Sequence, residues 1–583
     1  MISQTQDFVW YSGFTVDGYC CAHFFSFSDT GYTKDFITLD PTDLIRDGSG
    51  KATMADESGE LLFYTDGFDV FNRKHQIMLN GDSVFAMEGQ ILGYYEWPAG
   101  INIPDWSLIL PCPFEPEIYY LIYLGIMDDE VSPSQFRGSG LNFSKINMQL
   151  DKGLGAVTKK NINVKEFRST HSSLKAIRHG NGRDWWIPVK EFENANWHVF
   201  LLDDTGIHFS HMSDDPEFPE FYCRLALYSY ALDQYVCMTG DHFYPWQFYH
   251  DRPFEYQFHV YDFDRCAGTF KYDRTFELET WSLKYSLKSL TFCPNGQYLY
   301  GGLGGSFLIQ YDTWVEDVQA TADTLLNIFT MDNAVPGIYE PKITPRGELW
   351  LQSWGSDSIT VIQNPESRGE AVNISENFIV TDWVNVGTFP NNANYRIGPI
   401  DGSPCDTLGI DNEPRAWFRY NKANLGPYER RFVDISYFRP ESWHWNFDDG
   451  STYDGQHPGV HDFPAPGNYY VCLTVSNENA EDTYCEWVEI EEPSNVHEQM
   501  EGRGFVLFPN PNQGLFQLQF SNALSDGGDL RVINTMGQQL HKETLSSGGH
   551  QFSLDLSHLP SGQYIVQVQT GSNLFSQSVV VMR

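Results

Sequence analysis

The stretch Asp56-Glu57-Ser58-Gly59-Glu60-Leu61-Leu62-Phe63-Tyr64 places a polar turn directly before an apolar strand. The same order of turn and strand returns at 180–189, 293–300 and 345–351. A second strand that ends in a polar turn often follows. Such units, repeated about every 50 residues, are typical of the blades of a β-propeller. We therefore predict a β-propeller of about seven blades over residues 1–415, with two tandem β-sandwiches as the alternative.

The composition is acidic and rich in residues that favour strands and turns. The 583 residues include 37 Lys and Arg against 77 Asp and Glu, which gives a formal net charge of −40. Nucleic acids and anionic lipids both require a basic surface, so we expect no nucleic-acid partner and no docking on acidic membranes. No segment reaches the ~18 consecutive apolar residues of a membrane helix, so we expect no membrane insertion.

The N-terminus, residues 1–7, has neither the basic start nor the apolar run of a signal peptide. Taken alone, this indicates a cytoplasmic protein. The alternative is that the numbering begins at a mature end, and the rest of the sequence has to decide between the two.

The ten Cys residues lack the spacing of a zinc site. Cys472 and Cys485 lie on either side of a polar turn, and both flanks alternate as strands do. This pattern predicts a hairpin that brings the two Cys together, and a disulfide there indicates an oxidising compartment. The alternative is a pair of buried free thiols. The other eight Cys cannot be paired from the sequence.

Residues 416–492 change character. They contain Trp443-His444-Trp445-Asn446-Phe447-Asp448-Asp449-Gly450 and, further on, Pro466-Gly467-Asn468-Tyr469-Tyr470-Val471. This segment resembles a PKD domain, a small immunoglobulin-like β-sandwich. Asp448 stands where that family has glycine. The residues that match the family pattern are Trp445, Phe447, Asp449, Gly450, His461, Pro466, Gly467 and Tyr469.

Residues 504–583 follow a polar linker at 493–503 and form a compact last unit. The unit opens on Phe508-Pro509-Asn510-Pro511 and ends on Ser578-Val579-Val580-Val581-Met582-Arg583. It resembles the type A C-terminal sorting domain of proteins exported by the type IX secretion system. The residues that carry this resemblance are Pro509, Asn510, Pro511, Gly514, Gly537, Gly562 and Tyr564. The predicted fold class is therefore all-β, an about seven-bladed β-propeller followed by two small immunoglobulin-like β-sandwiches.

The propeller region itself is similar to the N-terminal propeller region of large type IX cargo proteins, through 60–67, 150–158 and 178–186. These resemblances imply a signal peptide that lies outside this numbering and passage through the periplasm. They imply the type IX outer-membrane machinery as a partner of the C-terminal domain. The expected location is the extracellular space or the outer-membrane surface.

The sequence contains no G-x-S-x-G, H-E-x-x-H, Walker or EF-hand motif. We therefore predict no catalytic residue, no metal and no cofactor. His179, Trp185, Trp186 and Trp246 are candidates for a ligand face, because exposed aromatic rings stack on the apolar faces of sugars. The alternative for these residues is a role in turns and packing.

We predict an exported, non-catalytic protein that binds a protein or a glycan through its propeller. The PKD-like domain then serves as a spacer and the C-terminal domain as the secretion signal. The alternative is a secreted polysaccharide-acting enzyme, in which distant carboxylates meet in the propeller channel and act as acid and base.

Overall fold

The computed structural model describes residues 5–16, 19–28, 31–39, 50–85, 105–128, 136–169, 174–191, 196–213, 223, 225–240, 254–280, 287–303, 307–327, 338–353, 356–372, 379–385, 389–421, 425–491, 505–508, 514–520, 527–534, 538–549, 551–560, 562–570 and 573–581. In these ranges the chain is all-β, and its helical turns are short 3-10 helices at Asp151–Gly153, Gln319–Thr321 and Gly369–Val372.

Three antiparallel sheets open the chain. The first has the order β1 (Val9–Val16), β2 (Tyr19–Ser28) and β3 (Gly31–Leu39). The second has the order β4 (Ala52–Ala55), β5 (Leu61–Thr65) and β6 (Val70–Asn72). The third pairs β7 (Ser107–Pro111), β8 (Ile118–Asp128), β9 (Phe136–Asn147) and β10 (Ala156–Lys165) in sequence order.

Four further antiparallel sheets follow, each with four strands in sequence order. The fourth comprises β11 (Ile177–Arg178), β12 (Trp185–Lys190), β13 (Trp197–Asp203) and β14 (Gly206–Ser213). The fifth comprises β15 (Leu225–Ser229), β16 (Gln234–Gly240), β17 (Phe254–Asp264) and β18 (Thr269–Thr280). The sixth comprises β19 (Leu287–Phe292), β20 (Tyr298–Leu303), β21 (Phe307–Asp312) and β22 (Asp323–Asn327). The seventh comprises β23 (Ile338–Ile343), β24 (Leu349–Ser353), β25 (Ser356–Ile362) and β26 (Ile379–Asn385).

These sheets pack on one another in chain order, and the seventh packs back on the first. Trp10 and Phe27 of the first sheet share a buried cluster with Trp350 and Ile359 of the seventh. Other apolar clusters join the sheets in between, each to its neighbour along the chain. A closed ring of sheets built from consecutive segments is a β-propeller. The predicted number of blades stays a prediction.

The repeated turn in the sequence has a local physical cause. The side-chain oxygens of Asp56, Asn181 and Asn295 each accept the backbone N–H two residues further on, at 2.8, 3.0 and 3.0 Å. This bond is typical of Asx turns. A glycine with positive φ closes each turn, because other residues are strained there. These glycines are Gly59, Gly182 and Gly296.

The PKD-like segment is a sandwich of two sheets. One has the order β27 (Phe418–Asn421), β28 (Glu429–Asp434) and β31 (Gly459–Asp462). The other has the order β30 (Thr452–Asp454), β29 (Ser442–Asn446), β32 (Gly467–Ser476) and β33 (Glu481–Ile490).

The last segment is a second sandwich. One sheet has the order β34 (Phe505–Phe508), β35 (Leu515–Phe520) and β38 (Gln551–Asp555). The other has the order β37 (Gln539–Leu545), β36 (Gly528–Asn534), β39 (Gly562–Thr570) and β40 (Asn573–Val581). A core of Leu, Val and Phe side chains fills the space between the two sheets.

The contacts divide the chain into two compact units. The first comprises Met1–Leu425, Glu429–Asp462 and Tyr470–Val488, and therefore holds the propeller and most of the PKD-like sandwich. The second comprises Gly426–Tyr428, Phe463–Tyr469 and Glu489–Arg583. No helix in the described ranges has both the length and the apolar character needed to cross a membrane.

Candidate functional site

The first strands of neighbouring propeller sheets lie side by side at several places in the ring. β1 lies beside β4, β4 beside β7, β15 beside β19 and β19 beside β23. Residues on these strands and at their ends therefore line the central channel.

The segment 389–400, which follows the seventh sheet, lies in this channel. We call it the channel segment. Asn391 donates its side-chain amide to the carbonyls of Ser107 and Leu174, at 2.9 and 3.0 Å. Tyr395 donates its hydroxyl to the carbonyl of Ile109 at 2.8 Å. The segment thus contacts β7 of the third sheet and the chain just before the fourth sheet.

Three charged side chains from distant sheets meet at the channel. Asp105 precedes β7, Lys175 precedes β11, and Lys342 lies in β23. One carboxylate oxygen of Asp105 accepts a hydrogen bond from the ammonium of Lys342 at 2.6 Å, and the other accepts one from the ammonium of Lys175. All three side chains are largely buried. We call this group the channel triad.

Two effects act against each other on the pKa of Asp105. Burial favours the neutral acid and raises the pKa. The ammonium groups of Lys175 and Lys342 outweigh burial and hold the pKa of this carboxyl well below its ordinary value. Asp105 therefore stays ionised at neutral pH and can act neither as a proton donor nor as an unpaired base.

The channel segment is also anchored to the first sheet by an ion pair. Arg396 donates to both carboxylate oxygens of Asp7, at 2.7 and 3.0 Å. Burial raises the pKa of Asp7, and the nearby Arg396 opposes that rise. A two-bonded arginine–carboxylate pair fixes orientation as well as charge.

A cavity of about 790 Å³ lies between the channel and the PKD-like sandwich, within the first unit, and its lining is both apolar and polar. We call it the polar cavity after the charged groups that line it. Asp105, Lys342 and Tyr230 line it from the propeller, and Arg439 and Trp443 line it from the PKD-like sandwich. Burial, together with the charge of Asp105, raises the pKa of Tyr230, so its hydroxyl remains protonated and can donate a hydrogen bond. The cavity thus offers charged, hydroxyl and aromatic groups together.

Polar contacts hold the PKD-like sandwich against the propeller at this cavity. Arg439 pairs with Asp233 at 3.2 Å. Asn477 donates its side-chain amide to the carbonyl of Asn412 at 2.8 Å, near the start of the PKD-like segment. The ring of Tyr484 packs on the cluster that contains Trp10 of the first sheet. The sandwich therefore forms part of the cavity wall.

The structure buries two of the sequence-predicted ligand-face residues. Trp185 is fully buried beside Tyr395, and Trp186 is 4% exposed and donates its indole N–H to the carbonyl of Arg265. His179 stacks on Trp186, and burial lowers its pKa. Neither tryptophan ring has a face to offer a ligand, which corrects that interpretation. The fourth candidate, Trp246, lies outside the described residues.

The PKD motif residues hold the sandwich together. Trp445 and Phe447 are buried in its core, and the ring of His461 stacks on Phe447 at 3.8 Å. His461 also pairs with Asp449 at 2.8 Å, and Gly450 adopts φ +91° in the turn that follows. Three further motif residues lie at or near the start of β32: Pro466, Gly467 and Tyr469.

The described sorting-motif residues are also structural. Gly514 adopts φ +98°, and a Cβ atom there would lie 2.6 Å from the Cα of Ser557. Tyr564 donates its hydroxyl to the carbonyl of Pro560 at 2.7 Å, and Gly562 begins the same strand, β39. Four predicted residues lie outside the described ranges: Pro509, Asn510, Pro511 and Gly537.

Three disulfides join described cysteines. Cys472 is bonded to Cys485 across the β32–β33 hairpin. The other two pairs, which the sequence did not reveal, are Cys223–Cys237 and Cys266–Cys405. Disulfides persist in oxidising compartments, so this chemistry suits an exported protein. Within the described ranges, no group of His, Cys, Asp and Glu has a metal-binding arrangement.

Two family models match the C-terminal part of the chain. The model described as a secretion system C-terminal sorting domain matches residues 506–582. The model described as a PKD domain matches residues 428–491. The sorting domain at residues 506–582 indicates cargo of the type IX secretion system. The sorting domain directs export of this cargo to the cell surface or the extracellular space.

Comparisons of the whole chain indicate no activity. None of the curated proteins matches it in sequence. The β-propeller domain of Swd1 from Myceliophteria thermophila is similar at a TM-score of 0.33 and 8% identity, over 62% of this chain and 94% of that chain. Sqt1 from Chaetomium thermophilum is similar at a TM-score of 0.28 and 9% identity, over 71% and 94%. Likenesses this weak transfer no activity, and the fold assignment rests on the ring of sheets itself.

The channel triad had no signal in the sequence pattern. Lys175 and Lys342 are 70 and 237 residues from Asp105 in the chain. Asp105 stands directly before Trp106 and β7, but a charged residue before a buried strand is too common to identify such a site.

Proposed function

We propose that this type IX cargo is a non-catalytic binding protein that acts outside the cell and holds a protein or a glycan ligand in the polar cavity. The observation that carries the proposal is that Asp105 and Asp7, two of the carboxylates that line the cavity, are held in ion pairs. Asp105 is held between two lysines, and Asp7 is paired with Arg396. Glycan cleavage requires a carboxylic acid and a second carboxylate that both reach the scissile bond.

The cavity supports binding on size and chemistry. Its volume of about 790 Å³ falls within the range of about 300–1,000 Å³ that ligand pockets occupy. Arg439 and Trp443 lie on its PKD-like side, and Tyr230 lies on its propeller side. A planar guanidinium, an indole and a hydroxyl can recognise either the carboxylates of a peptide or the hydroxyls of a sugar.

The PKD-like sandwich has a second role in this proposal besides that of spacer. Because Arg439 reaches Asp233 of the propeller, the sandwich is held at the cavity and supplies part of its wall. We propose that ligand binding requires both modules. The domain boundaries at 415, 492 and 503 belong to the same proposal.

Binding and turnover can be measured on one preparation of the full chain. A glycan array and an array of bacterial surface proteins report binding, and release of reducing ends from polysaccharides reports turnover. We expect a bound ligand and no release of reducing ends. The variant Arg439→Ala is expected to weaken binding about tenfold, since it removes one charged cavity group.

The matched control is Arg274→Ala, which removes a partly exposed arginine paired with Asp273 on the propeller surface. It should bind as the unchanged protein does. Release of reducing ends that disappears in Asp105→Asn, with the melting transition still cooperative, would establish the enzyme alternative and overturn the proposal.

A further inference from the structure

Two aromatic rings lie side by side on the outer face of the PKD-like sandwich. Trp487 is 62% exposed and Tyr470 is 44% exposed, which places both among the most exposed large apolar side chains described. Their ring centroids are 4.8 Å apart. We call this pair the aromatic platform. Large aromatic rings are normally buried, so two adjacent exposed rings require an explanation.

The hairpin β32–β33 holds the platform in place. Tyr470 and Trp487 are each two residues from a cysteine of the Cys472–Cys485 disulfide, which ties the two strands together next to the rings. Strand alternation turns Val471 and Leu473 into the core on the opposite face, where both are fully buried. The two rings therefore lie on the face of the sheet opposite the core of the sandwich.

The face around the rings carries polar and charged side chains. Thr474 and Thr483 face each other across the hairpin with their hydroxyls 2.8 Å apart. Asn446 is exposed next to Cys472 on the neighbouring strand, because those two residues are register partners. His444 pairs with Asp454 further along the same face. These hydroxyl, amide and imidazole groups can donate and accept hydrogen bonds.

We propose that the aromatic platform binds a neutral polysaccharide chain, through stacking of neighbouring sugar rings on Trp487 and Tyr470. A stable protein–protein interface needs about 800 Å² per partner with an apolar centre, and two rings amid threonines and an asparagine fall short of that. The net charge of −40 disfavours an acidic polysaccharide. A neutral chain needs only apolar ring faces and hydroxyl partners, and the platform offers both.

This site is separate from the polar cavity, because none of the platform residues lines the cavity. A variant of one site should leave the other intact. A binding test of the platform is therefore independent of a binding test of the cavity.

Affinity electrophoresis of the full chain tests the platform. Native gels contain a mannan, a xylan, a β-glucan or, as the acidic probe, alginate. At least one neutral polysaccharide is expected to retard the protein, and alginate is not. Trp487→Ala and Tyr470→Ala should each weaken that retardation about tenfold, and Trp487→Phe should retain most of it.

The matched control is Trp314→Ala, which removes a 56% exposed tryptophan of the propeller, and it should migrate as the unchanged protein does. Arg439→Ala should also leave the retardation unchanged. The proposal is overturned if no neutral polysaccharide retards the protein, if Trp487→Ala is retarded as strongly as the unchanged protein, or if alginate is bound equally well. Sedimentation that shows a dimer lost in Trp487→Ala would instead assign the platform to contact between copies of the chain.

Discussion

Asp105 illustrates how single residues hold this propeller together. It adopts φ +54°, a left-handed conformation that Asp tolerates better than most residues, and its carbonyl accepts the backbone N–H of Leu174. Its side chain meets lysines from two other sheets. Taking three charges out of water is costly, and good geometry offsets that cost only while every partner remains.

Replacement of Asp105 by Asn should therefore destabilise the propeller strongly. The change removes the carboxylate that pairs with both Lys175 and Lys342, which are largely buried, and we expect a loss of about 3 kcal/mol in the free energy of unfolding. Denaturant titration followed by tryptophan fluorescence measures it. Asp82→Asn is the control, because the pair of Asp82 with Lys160 is exposed on the carboxylate side and should change stability by less than about 1 kcal/mol. Equal losses in the two variants would contradict this role.

His259 provides a prediction on acidity. Burial, assisted by the charge of Lys190, lowers its pKa from 6.5 to about 4. The unfolded chain therefore binds this proton more readily than the folded protein does, and the resulting stability is complete above pH 6.5 and is lost as the pH falls from 6.5 to about 4. In His259→Gln, the melting temperature should fall less steeply between these values. The same exchange at the half-buried His208 is the control for the substitution itself, and parallel slopes for His259→Gln and the unchanged protein would refute the assignment.

At the scale of elements, two long-range connections link parts of the propeller that are distant in the chain: the channel segment and a disulfide. The channel segment inserts Tyr395 into the core of the second to fourth sheets and Ile397 into that of the fourth and fifth. The Cys266–Cys405 disulfide then joins the β17–β18 turn to the chain that follows this segment. Together they hold the channel segment against the sheets.

The Cys266–Cys405 disulfide should stabilise the protein more than the Cys472–Cys485 disulfide does. The first closes a loop with a sequence separation of 139 and the second one of 13. Loop-closure entropy then predicts a difference of about 2 kcal/mol between the two double Cys→Ala variants. Differential scanning calorimetry under identical oxidising conditions measures both. A larger loss for the Cys472 and Cys485 variant would show that this entropy is not the dominant effect.

Local features were predictable from the sequence, and distant ones were not. The turns at Asp56 and Asn295 depend on a side chain and a glycine a few residues apart, so the sequence pattern alone reveals them. The all-β class follows from the same local patterns, and the two C-terminal sandwiches follow from the resemblances to a PKD domain and a sorting domain; both are confirmed. The channel segment depends on contacts such as that of Asn391 with Ser107, across 284 residues. No local pattern encodes such a contact. Trp185 and Trp186 suggested a ligand face because their burial also depends on residues that are distant in the chain.

At the scale of the whole molecule, the acidic charge, the disulfides and the C-terminal sorting domain all fit a location outside the cell. A net charge of −40 favours solubility of an exported chain. Three disulfides suit an oxidising compartment. The sorting domain belongs to a compact unit other than that of the propeller, so its removal should leave the propeller folded.

Deletion of residues 504–583 tests the central claim most directly. Full-length and truncated proteins are produced in a bacterium with a working type IX system, and quantitative immunoblots of medium, cell surface and periplasm locate each protein. A version with Arg274→Ala, which leaves the sorting domain intact, is the control. The account predicts that the full-length protein and the control reach the surface or the medium and that the truncated protein accumulates, folded, in the periplasm. Truncated protein outside the cell in the same amount as full-length protein would contradict the account.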